Sequence, residues 1–205
     1  MRTTFLIILL SILAIGSSAQ FVANTQQFIV DIHNTFRSKL ALGTYVSKGV
    51  TKPAAKIEHH TDCLSSSLRK HMPKKSLESR VGENIYYRYT TAPFSGMNVY
   101  GGAASVAWEQ EVQRNEWPSN IISIDVLLVT DELRIILHAT QMAWATSGQI
   151  GCGVKNCGKD MPDRPTFNRG VVVGNIINQQ VYQTGPTCSA CPTGTTCETA
   201  TGLCG

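Results

Sequence analysis

Apolar residues recur every three or four positions over residues 25–41, which is the spacing of an amphipathic helix. The apolar positions of this stretch are Phe28, Ile29, Ile32, Phe36 and Leu40. Arg37 and Lys39 are charged and are expected to face outward. Gly43 is the expected stop, because glycine commonly follows the last helical turn. The pattern therefore predicts a first helix over 25–41.

A second helix is predicted over residues 101–114. Its inward face is expected to carry Ala103, Val106, Ala107, Glu111 and Val112, with Trp108 beside it. Residues 121–137 are strongly apolar and fit two interpretations. The part at 121–129 suits strands, whereas the part at 131–137 suits the start of a third helix that continues through Trp144.

The remaining stretches are shorter. Residues 44–58 have the composition of a loop, and residues 61–71 suit a short helix. Strands are expected over 150–155 and 170–177, which are rich in glycine and valine, and 81–87 suits a short strand or the entry to a helix. Helices and strands thus alternate, which predicts an α+β chain with an antiparallel or mixed sheet.

The amino terminus has the pattern of a secretory signal peptide. Arg2 precedes an apolar run over residues 5–15, and small residues follow at 17–19. The run is too short to cross a bilayer, which takes about 20 apolar residues. We therefore assign Met1–Ala19 to a signal peptide, expect the mature protein to be extracellular, and exclude this segment from the fold. No later apolar run has the length of a transmembrane segment.

Composition indicates one globular domain with a small appendage. The chain has 205 residues, of which 42% are hydrophobic, enough to bury a core. The formal net charge is only +4, and no long block of lysine or arginine occurs. Nucleic acid is therefore not an expected partner, since a strongly basic face is what such binding requires.

Cysteine usage divides the chain in two. Four of the seven cysteines, at positions 188, 191, 197 and 204, lie in a carboxy-terminal stretch rich in Gly, Pro and Thr. The C-x2-C-x5-C-x6-C spacing could also suit a zinc site, but in an extracellular protein such a stretch is typically held by disulfides. We therefore predict a main domain over 20–183 and a separable, disulfide-stapled tail over 184–205. At most six of seven cysteines can pair within one chain, which leaves one over.

Five segments carry a family resemblance. They are His-Asn-Thr-Phe-Arg-Ser at 33–38, Gly-Glu-Asn-Ile-Tyr at 82–86, Trp-Glu-Gln-Glu-Val at 108–112, His-Ala-Thr-Gln-Met-Ala-Trp at 138–144 and Ile-Gly-Cys-Gly-Val at 150–154. In this order they resemble the signature segments of the CAP superfamily, which includes cysteine-rich secretory, antigen 5 and plant pathogenesis-related proteins. The overall pattern is similar to that of nematode venom-allergen-like, or activation-associated secreted, proteins.

The resemblance implies an α-β-α sandwich, with helices on both faces of a short antiparallel sheet, followed by a cysteine-rich hinge. It also implies a central cleft lined by two histidines and two glutamates. The matching residues are His71, Glu83, Glu111 and His138. His59 or His60 is the alternative to His71 as the second histidine. Asn34 and Arg37 are interpreted as helix-packing residues, and Trp108 and Trp144 as core aromatics.

Two neutral imidazoles suit Zn²⁺ or a similar divalent cation, so the expected metal ligands are His71 and His138. The two carboxylates can orient the imidazoles or hold water. The family is not generally regarded as enzymatic, so no catalytic residue and no required cofactor are assigned. The resemblance implies a binding protein whose partners include a sterol or fatty acid, or a host or receptor protein. Its function is then that of an effector or immunomodulator. The alternatives are a metal-dependent hydrolase that uses the same residues and a disulfide-stapled cuticle or matrix component.

This chain departs from the family pattern in three places. The interval between Cys63 and His71 is short, the Cys-Asn-Tyr signature is absent where Val171–Asn175 stands, and Leu137 replaces the usual Gly before the signature histidine. These losses suggest how the cysteines pair. The implied bridges are Cys63–Cys157, Cys188–Cys197 and Cys191–Cys204. Cys152 then has no family partner and is predicted to be a free thiol.

Overall fold

The structure is a computed structural model. It describes residues 21–53, 55–58, 63–65, 84–86, 88, 98–117, 119–123, 136–154 and 174–205. The predicted signal peptide lies outside these residues. Within the described part of the chain, no helix combines the length and the apolar character that a membrane span needs.

Three helices make up the helical part of the described chain. They are α1 (Ala23–Ala41), α2 (Val99–Arg114) and α3 (Leu137–Ala143). The first two helices confirm the periodicity, each beginning two residues before its predicted start. The third ends at Ala143, one residue before its predicted end, and the apolar stretch at 124–135 lies outside the described residues.

Helix α1 ends in a left-handed turn. Gly43 adopts a φ of 67°, and its N–H donates to the Leu40 carbonyl. Glycine takes this conformation without a steric penalty from Cβ, so the predicted stop is confirmed. Phe28, however, is 54% exposed although its spacing placed it on the inward face.

Helix α2 packs against α1 through two adjacent glycines. A Cβ added at Gly101 would lie 2.8 Å from the Ile29 side chain, and one added at Gly102 would overlap the Phe28 ring. Glycine costs a helix about 1 kcal/mol relative to alanine, and here the cost is offset by close approach of the two helices. The inward face of α2 runs through Ala104, Ser105, Trp108 and Val112. Val106 was predicted on that face but is 40% exposed, so the face is rotated from the predicted one.

Eight short strands form three small sheets in the described part of the chain. The strands are β1 (Val46–Ser47), β2 (Val50–Thr51), β3 (Ala55–Glu58), β4 (Cys63–Ser65), β5 (Ile150–Cys152), β6 (Gln183–Thr184), β7 (Cys197–Glu198) and β8 (Leu203–Cys204). The largest sheet has the order β6-β3-β8-β7, in which β3 and β8 are parallel and the other pairs antiparallel. The strands β1 and β2 form an antiparallel pair, and β4 runs parallel to β5.

Several predictions about strands are wrong, and one is confirmed. Residues 44–58 were predicted to be a loop but contain β1, β2 and β3, and Cys63–Ser65 is a strand where a helix was expected. The strand predicted from residue 150 is confirmed as β5. Residues 174–178, in contrast, form a turn-containing segment rather than a strand. The sheet order shows the α+β architecture with parallel as well as antiparallel pairs.

The carboxy-terminal tail is joined to the main domain by burial and hydrogen bonds, because both of its described disulfides lie within the tail. Leu203, in β8, is 1% exposed and belongs to the same core cluster as Phe36 and Leu40. The Ser38 hydroxyl donates to the Thr201 carbonyl at 2.8 Å, and the Thr187 hydroxyl donates to the Ala41 carbonyl at 2.9 Å. The disulfides hold the tail together, whereas burial of Leu203 and these hydrogen bonds hold it against the main domain.

The tail contains the two disulfides that the family resemblance implied. Cys188 bonds to Cys197 and Cys191 bonds to Cys204, with Cα–Cα distances of 5.6 and 5.3 Å. Both distances lie within the range that a disulfide allows. The second bridge anchors strand β8 to the loop before β7.

The prediction of a free Cys152 is wrong, because Cys152 is disulfide-bonded. The four tail cysteines pair with each other, so its partner within the chain is Cys63 or Cys157. Either pairing is incompatible with the predicted Cys63–Cys157 bridge. The family positions had removed the usual partner of Cys152, but the strand pairing β4–β5 places its strand beside the one that contains Cys63.

Arg37 is buried in the centre of the domain, which corrects the outward orientation predicted from periodicity and agrees with its interpretation as a helix-packing residue. Its side chain is 0% exposed. Nη1 donates to the carbonyls of Met142 (2.9 Å) and Trp144 (2.8 Å), and Nη2 donates to those of Ala145 (3.2 Å) and Ser147 (3.1 Å). The cation thus satisfies carbonyls at and beyond the end of α3, where the helix dipole is negative. Lys39, on the same helix, is exposed, as predicted.

We expect Arg37→Met to destabilise the fold by about 3 kcal/mol or more, because each buried carbonyl left unpaired costs roughly 1–3 kcal/mol. Lys39→Met is the matched control, since it removes an exposed charge from the same helix and should change stability by less than about 0.5 kcal/mol. Urea unfolding followed by circular dichroism measures both. Equal stability of the two variants would contradict the anchoring role of Arg37.

His33 makes stability depend on pH. Burial lowers the pKa of His33 from 6.5 to about 4, only partly opposed by the hydrogen bond between Nδ1 and the Ile29 carbonyl at 2.8 Å. The His33 imidazole is therefore protonated near pH 6.5 in the unfolded chain but only near pH 4 in the folded protein. The free energy of unfolding is therefore not reduced by His33 above pH 6.5. It decreases as the pH falls from 6.5 to about 4, by about 3 kcal/mol in total.

Unfolding free energies measured between pH 7 and pH 4 test this expectation, and His33→Gln should flatten the curve. An NMR titration of the His33 ring in the wild-type protein provides a second test that needs no variant. Protonation of that ring near pH 6.5 in the folded state would rule out the proposed origin of the pH dependence.

Candidate functional site

The candidate site is built where helix α2 meets the start of helix α3. Helix α3 has no cap from its own chain segment, since its N-cap residue Ile136 is apolar and makes no side-chain cap bond. Glu111 of α2 supplies the cap instead. Its Oε2 accepts the backbone N–H groups of His138 (3.1 Å) and Ala139 (3.2 Å). A carboxylate is favourable there, because the first N–H groups of a helix are unpaired and the dipole is positive.

The second oxygen of Glu111 holds the imidazole of His138. Glu111 Oε1 lies 2.6 Å from His138 Nδ1, and the two side chains are 16% and 30% exposed. The Trp108 ring stacks on the imidazole, with ring centroids 5.8 Å apart and planes inclined by 17°. Because Trp108 lies three residues before Glu111 on the same helix, one face of α2 fixes both the plane and the rotation of the ring.

This arrangement defines which nitrogen of the His138 ring can bind a ligand. With Glu111 as a carboxylate, the Nδ1–H of His138 donates a hydrogen bond to it, which leaves the free lone pair of the neutral ring on Nε2. Carboxylate-bound imidazoles of this kind are common metal ligands, because the carboxylate fixes the tautomer and raises the basicity of the ligating nitrogen. The pair can therefore supply one nitrogen ligand to a cation or accept one proton from a bound molecule.

Two asparagines hydrogen-bond to the carbonyls of the first turn of α3, whose N–H groups are bound by Glu111. Asn84 Nδ2 donates to the His138 carbonyl at 2.9 Å, and Asn175 Nδ2 donates to the Leu137 carbonyl at 2.7 Å. Asn175 Oδ1 in turn accepts the hydroxyl of Thr140 at 2.8 Å. Donors and acceptors around this turn are thus paired with side chains from three separate segments, which fixes where His138 stands.

Asn175 is the site residue that the sequence did not reveal. It appeared only in a stretch that lacks the expected family signature, yet it adopts a φ of 53° and bonds helix α3 through both ends of its amide. Asparagine tolerates this left-handed conformation better than most residues. The Gly-Asn pair at 174–175 is the local signal of such a turn.

The structure brings together Glu111 and His138 of the four predicted cleft residues. His71 and Glu83, and the alternatives His59 and His60, lie outside the described residues. Among the side chains that the structure does describe, no three His, Cys, Asp or Glu residues are grouped closely enough to hold a metal. The described half of the cleft is therefore one imidazole and one carboxylate.

The predictions for the two tryptophans near the site agree with the structure. Trp108 and Trp144 are 6% and 4% exposed and belong to the core, as predicted. Thr140 is buried, and its hydroxyl hydrogen is shared between Asn175 Oδ1 at 2.8 Å and the Leu137 carbonyl at 3.1 Å. Tyr86 is partly buried against the same core.

Comparison with known proteins adds independent information. The model of the cysteine-rich secretory protein family, CAP, matches residues 30–173. Ancylostoma secreted protein from Ancylostoma caninum is 28% identical over 199 residues, which cover 92% of this chain and 46% of that protein. The chain therefore spans about half the length of this relative.

Solved structures of similar fold include Na-ASP-1 and BmVAL-1. Na-ASP-1 superposes with a TM-score of 0.70 at 26% identity, over 94% of this chain and 50% of that one. BmVAL-1 superposes with a TM-score of 0.69 at 25% identity, over 90% of this chain and 95% of that one. The family model covers well over half of the sequence and includes both Glu111 and His138. The chain belongs to the cysteine-rich secretory protein (CAP) family.

Proposed function

We propose that this is a secreted CAP-domain protein that acts by binding, through a cation-binding cleft centred on His138. The observation that carries the proposal is the double contact of Glu111 with His138. One carboxylate oxygen accepts from Nδ1 of the ring, and the other caps the helix on which His138 lies. Nothing in the packing of an ordinary core histidine requires a carboxylate and a stacked tryptophan together with partial exposure. These features suit a ring whose remaining nitrogen has to be presented in one direction.

The complete cleft is proposed to contain His71 as the second imidazole and Glu83 as the second carboxylate. Two neutral imidazoles with water in the remaining positions suit Zn²⁺, which accepts nitrogen ligands in an open tetrahedral site. The cation is proposed as an exchangeable ligand of the cleft rather than a cofactor that the fold requires.

Binding is favoured over hydrolysis by the way Glu111 is used. Its two oxygens have three partners, which are the imidazole Nδ1 and the two backbone N–H groups of α3. A general base needs a free carboxylate oxygen within reach of the attacking water. Glu111 is therefore proposed as a positioning residue, and the metal-dependent hydrolase alternative would depend on Glu83.

Secretion and an effector or immunomodulatory role are proposed on two grounds. The amino terminus has the pattern of a signal peptide, and a relative over almost the whole chain is named a secreted protein. A host or receptor protein is then the proposed partner, with carriage of a sterol or fatty acid as a narrower version. A cuticle or matrix component is the structural alternative, and it differs in that the protein would stay in the insoluble fraction.

Zinc titration tests the cleft. We expect His138→Ala to abolish or weaken Zn²⁺ binding at least tenfold, and Glu111→Gln to weaken it by about 10- to 100-fold, since the outer carboxylate contributes that much in comparable sites. Glu116→Gln is the matched control, because it makes the same change on an exposed carboxylate that lies 3.7 Å from Lys48 Nζ. Calorimetry that shows equal affinity in wild type and His138→Ala would reject the cation site.

The hydrolase alternative has its own test. The zinc-loaded protein should show no ester or peptide hydrolysis above that of the metal-free protein. Turnover that is lost in Glu83→Gln, with zinc affinity retained, would overturn the binding proposal. Turnover that is unaffected by Glu83→Gln and by Glu111→Gln would identify a contaminating enzyme and leave the cleft as a binding site.

A further inference from the structure

A groove of about 420 Å³ lies between the main domain and the carboxy-terminal tail, away from the His138 cleft. Its walls come from the segment after α3 (Trp144–Thr146), the segment 179–183, and the tail through Ala190, Pro192 and Cys204. The volume falls in the range of ordinary small-molecule sites. The Cys191–Cys204 disulfide holds the tail wall in place.

Strand register explains which side chains face the groove. Lys56 of β3 lies opposite Gln183 of β6, so both point to the same face of the sheet. Ile57 points to the other face, where it is 2% exposed in the core. The outward face of the sheet thus presents a lysine and a glutamine side by side at the groove.

Four polar side chains of this groove have no partner among the described residues. The amides of Gln179, Gln180 and Gln183 and the ammonium of Lys56 form no hydrogen bond or ion pair within the described structure. A Cβ added at Gly185 would lie 2.7 Å from Lys56 Cε, so the lysine stem lies across a glycine that leaves it room. The described lining contributes one positive charge and no carboxylate.

The backbone along the groove, in contrast, is already paired. The Gln179 carbonyl accepts the Ile122 N–H, and the Val181 carbonyl accepts the Ala145 N–H. Asn120 bonds both the N–H and the carbonyl of Tyr182 through its side chain. An extended peptide that adds as a strand would find few free partners here, so recognition depends on side chains.

We propose that this junction groove binds a short acidic oligosaccharide. Each primary amide offers two donors and an acceptor, which suits adjacent sugar hydroxyls. The unpaired Lys56 ammonium suits a sulfate or carboxylate on the sugar, because charge-assisted hydrogen bonds are stronger than neutral ones. The exposed side chains of Ala190 and Pro192 also line the groove and offer apolar surface against which a sugar ring can pack.

Calorimetric titration of the full chain tests the proposal, with a chelator present so that a cation in the His138 cleft does not contribute. The probes are a sulfated tetrasaccharide, a uronic-acid tetrasaccharide and an uncharged tetrasaccharide. We expect saturable binding of at least one acidic probe and at least tenfold weaker binding of the uncharged one. Comparison of the two acidic probes shows whether sulfate or carboxylate is the recognised group.

Lys56→Met should weaken binding of the acidic probe at least tenfold while the stem still covers Gly185. Gln183→Glu should weaken binding of the acidic probe more than Lys56→Met does, because the new carboxylate both pairs with Lys56 and repels the ligand. Lys39→Met is the matched control, since it removes one exposed lysine outside the groove and should leave affinity unchanged. The variants are compared only when their circular dichroism and melting match those of the wild type.

Four results would overturn the proposal. They are no saturable binding of either acidic probe, equal affinity for the uncharged one, equal weakening by Lys39→Met, and tighter binding of an acidic peptide at the same site. Loss of zinc binding in His138→Ala bears on the cleft alone, so the two proposals fail independently.

Discussion

The buried guanidinium of Arg37 is the interaction on which the rest of the domain depends. It lies where the C-terminal carbonyls of a seven-residue helix would otherwise be unpaired in the core. A helix of this length is not stable alone, since isolated helices shorter than about 12 residues are marginal in water. Helix α3 persists because a cation from α1 occupies its negative end and the Glu111 carboxylate from α2 occupies its positive end.

The same two charges connect the cleft with the groove. Glu111 fixes the end of α3 that carries His138, whereas Arg37 fixes the carbonyls of Trp144 and Ala145, which line the groove. The two proposed sites thus stand at opposite ends of one short helix. Their geometry is set by side chains that touch neither proposed ligand, so substitutions at Arg37 would disturb both sites without removing a contact from either.

Much of this could be predicted from the sequence, and the failures have identifiable causes. The 3.6-residue period located α1 and α2 because both bury an apolar stripe. It misplaced Arg37 because periodicity treats every charged residue as solvent-facing. The burial of Arg37 depends on four carbonyls from the segment 142–147, and the spacing within helix α1 contains no information about them. The period also misplaced Val106, because the close approach to α1 at Gly101 and Gly102 rotates the buried face of α2 toward Ala104 and Ser105. The family signature found Glu111 and His138, whereas Asn175 depends on a turn conformation that no spacing encodes. Short strands such as β1 and β3 were missed because two to four residues are too few to show alternation.

Strand β8 has a consequence for biosynthesis. It enters the sheet beside β3, and the tail reaches helix α1 through a hydrogen bond that joins residues 163 positions apart. Helix α1 therefore cannot bury its contact with Leu203 until the segment 201–204 has been made. Such distant contacts form late, because closing a long loop costs entropy before any contact offsets it. Docking of Leu203 and oxidation of Cys204 beside it are therefore coupled, so a chain truncated before residue 203 would keep its core open.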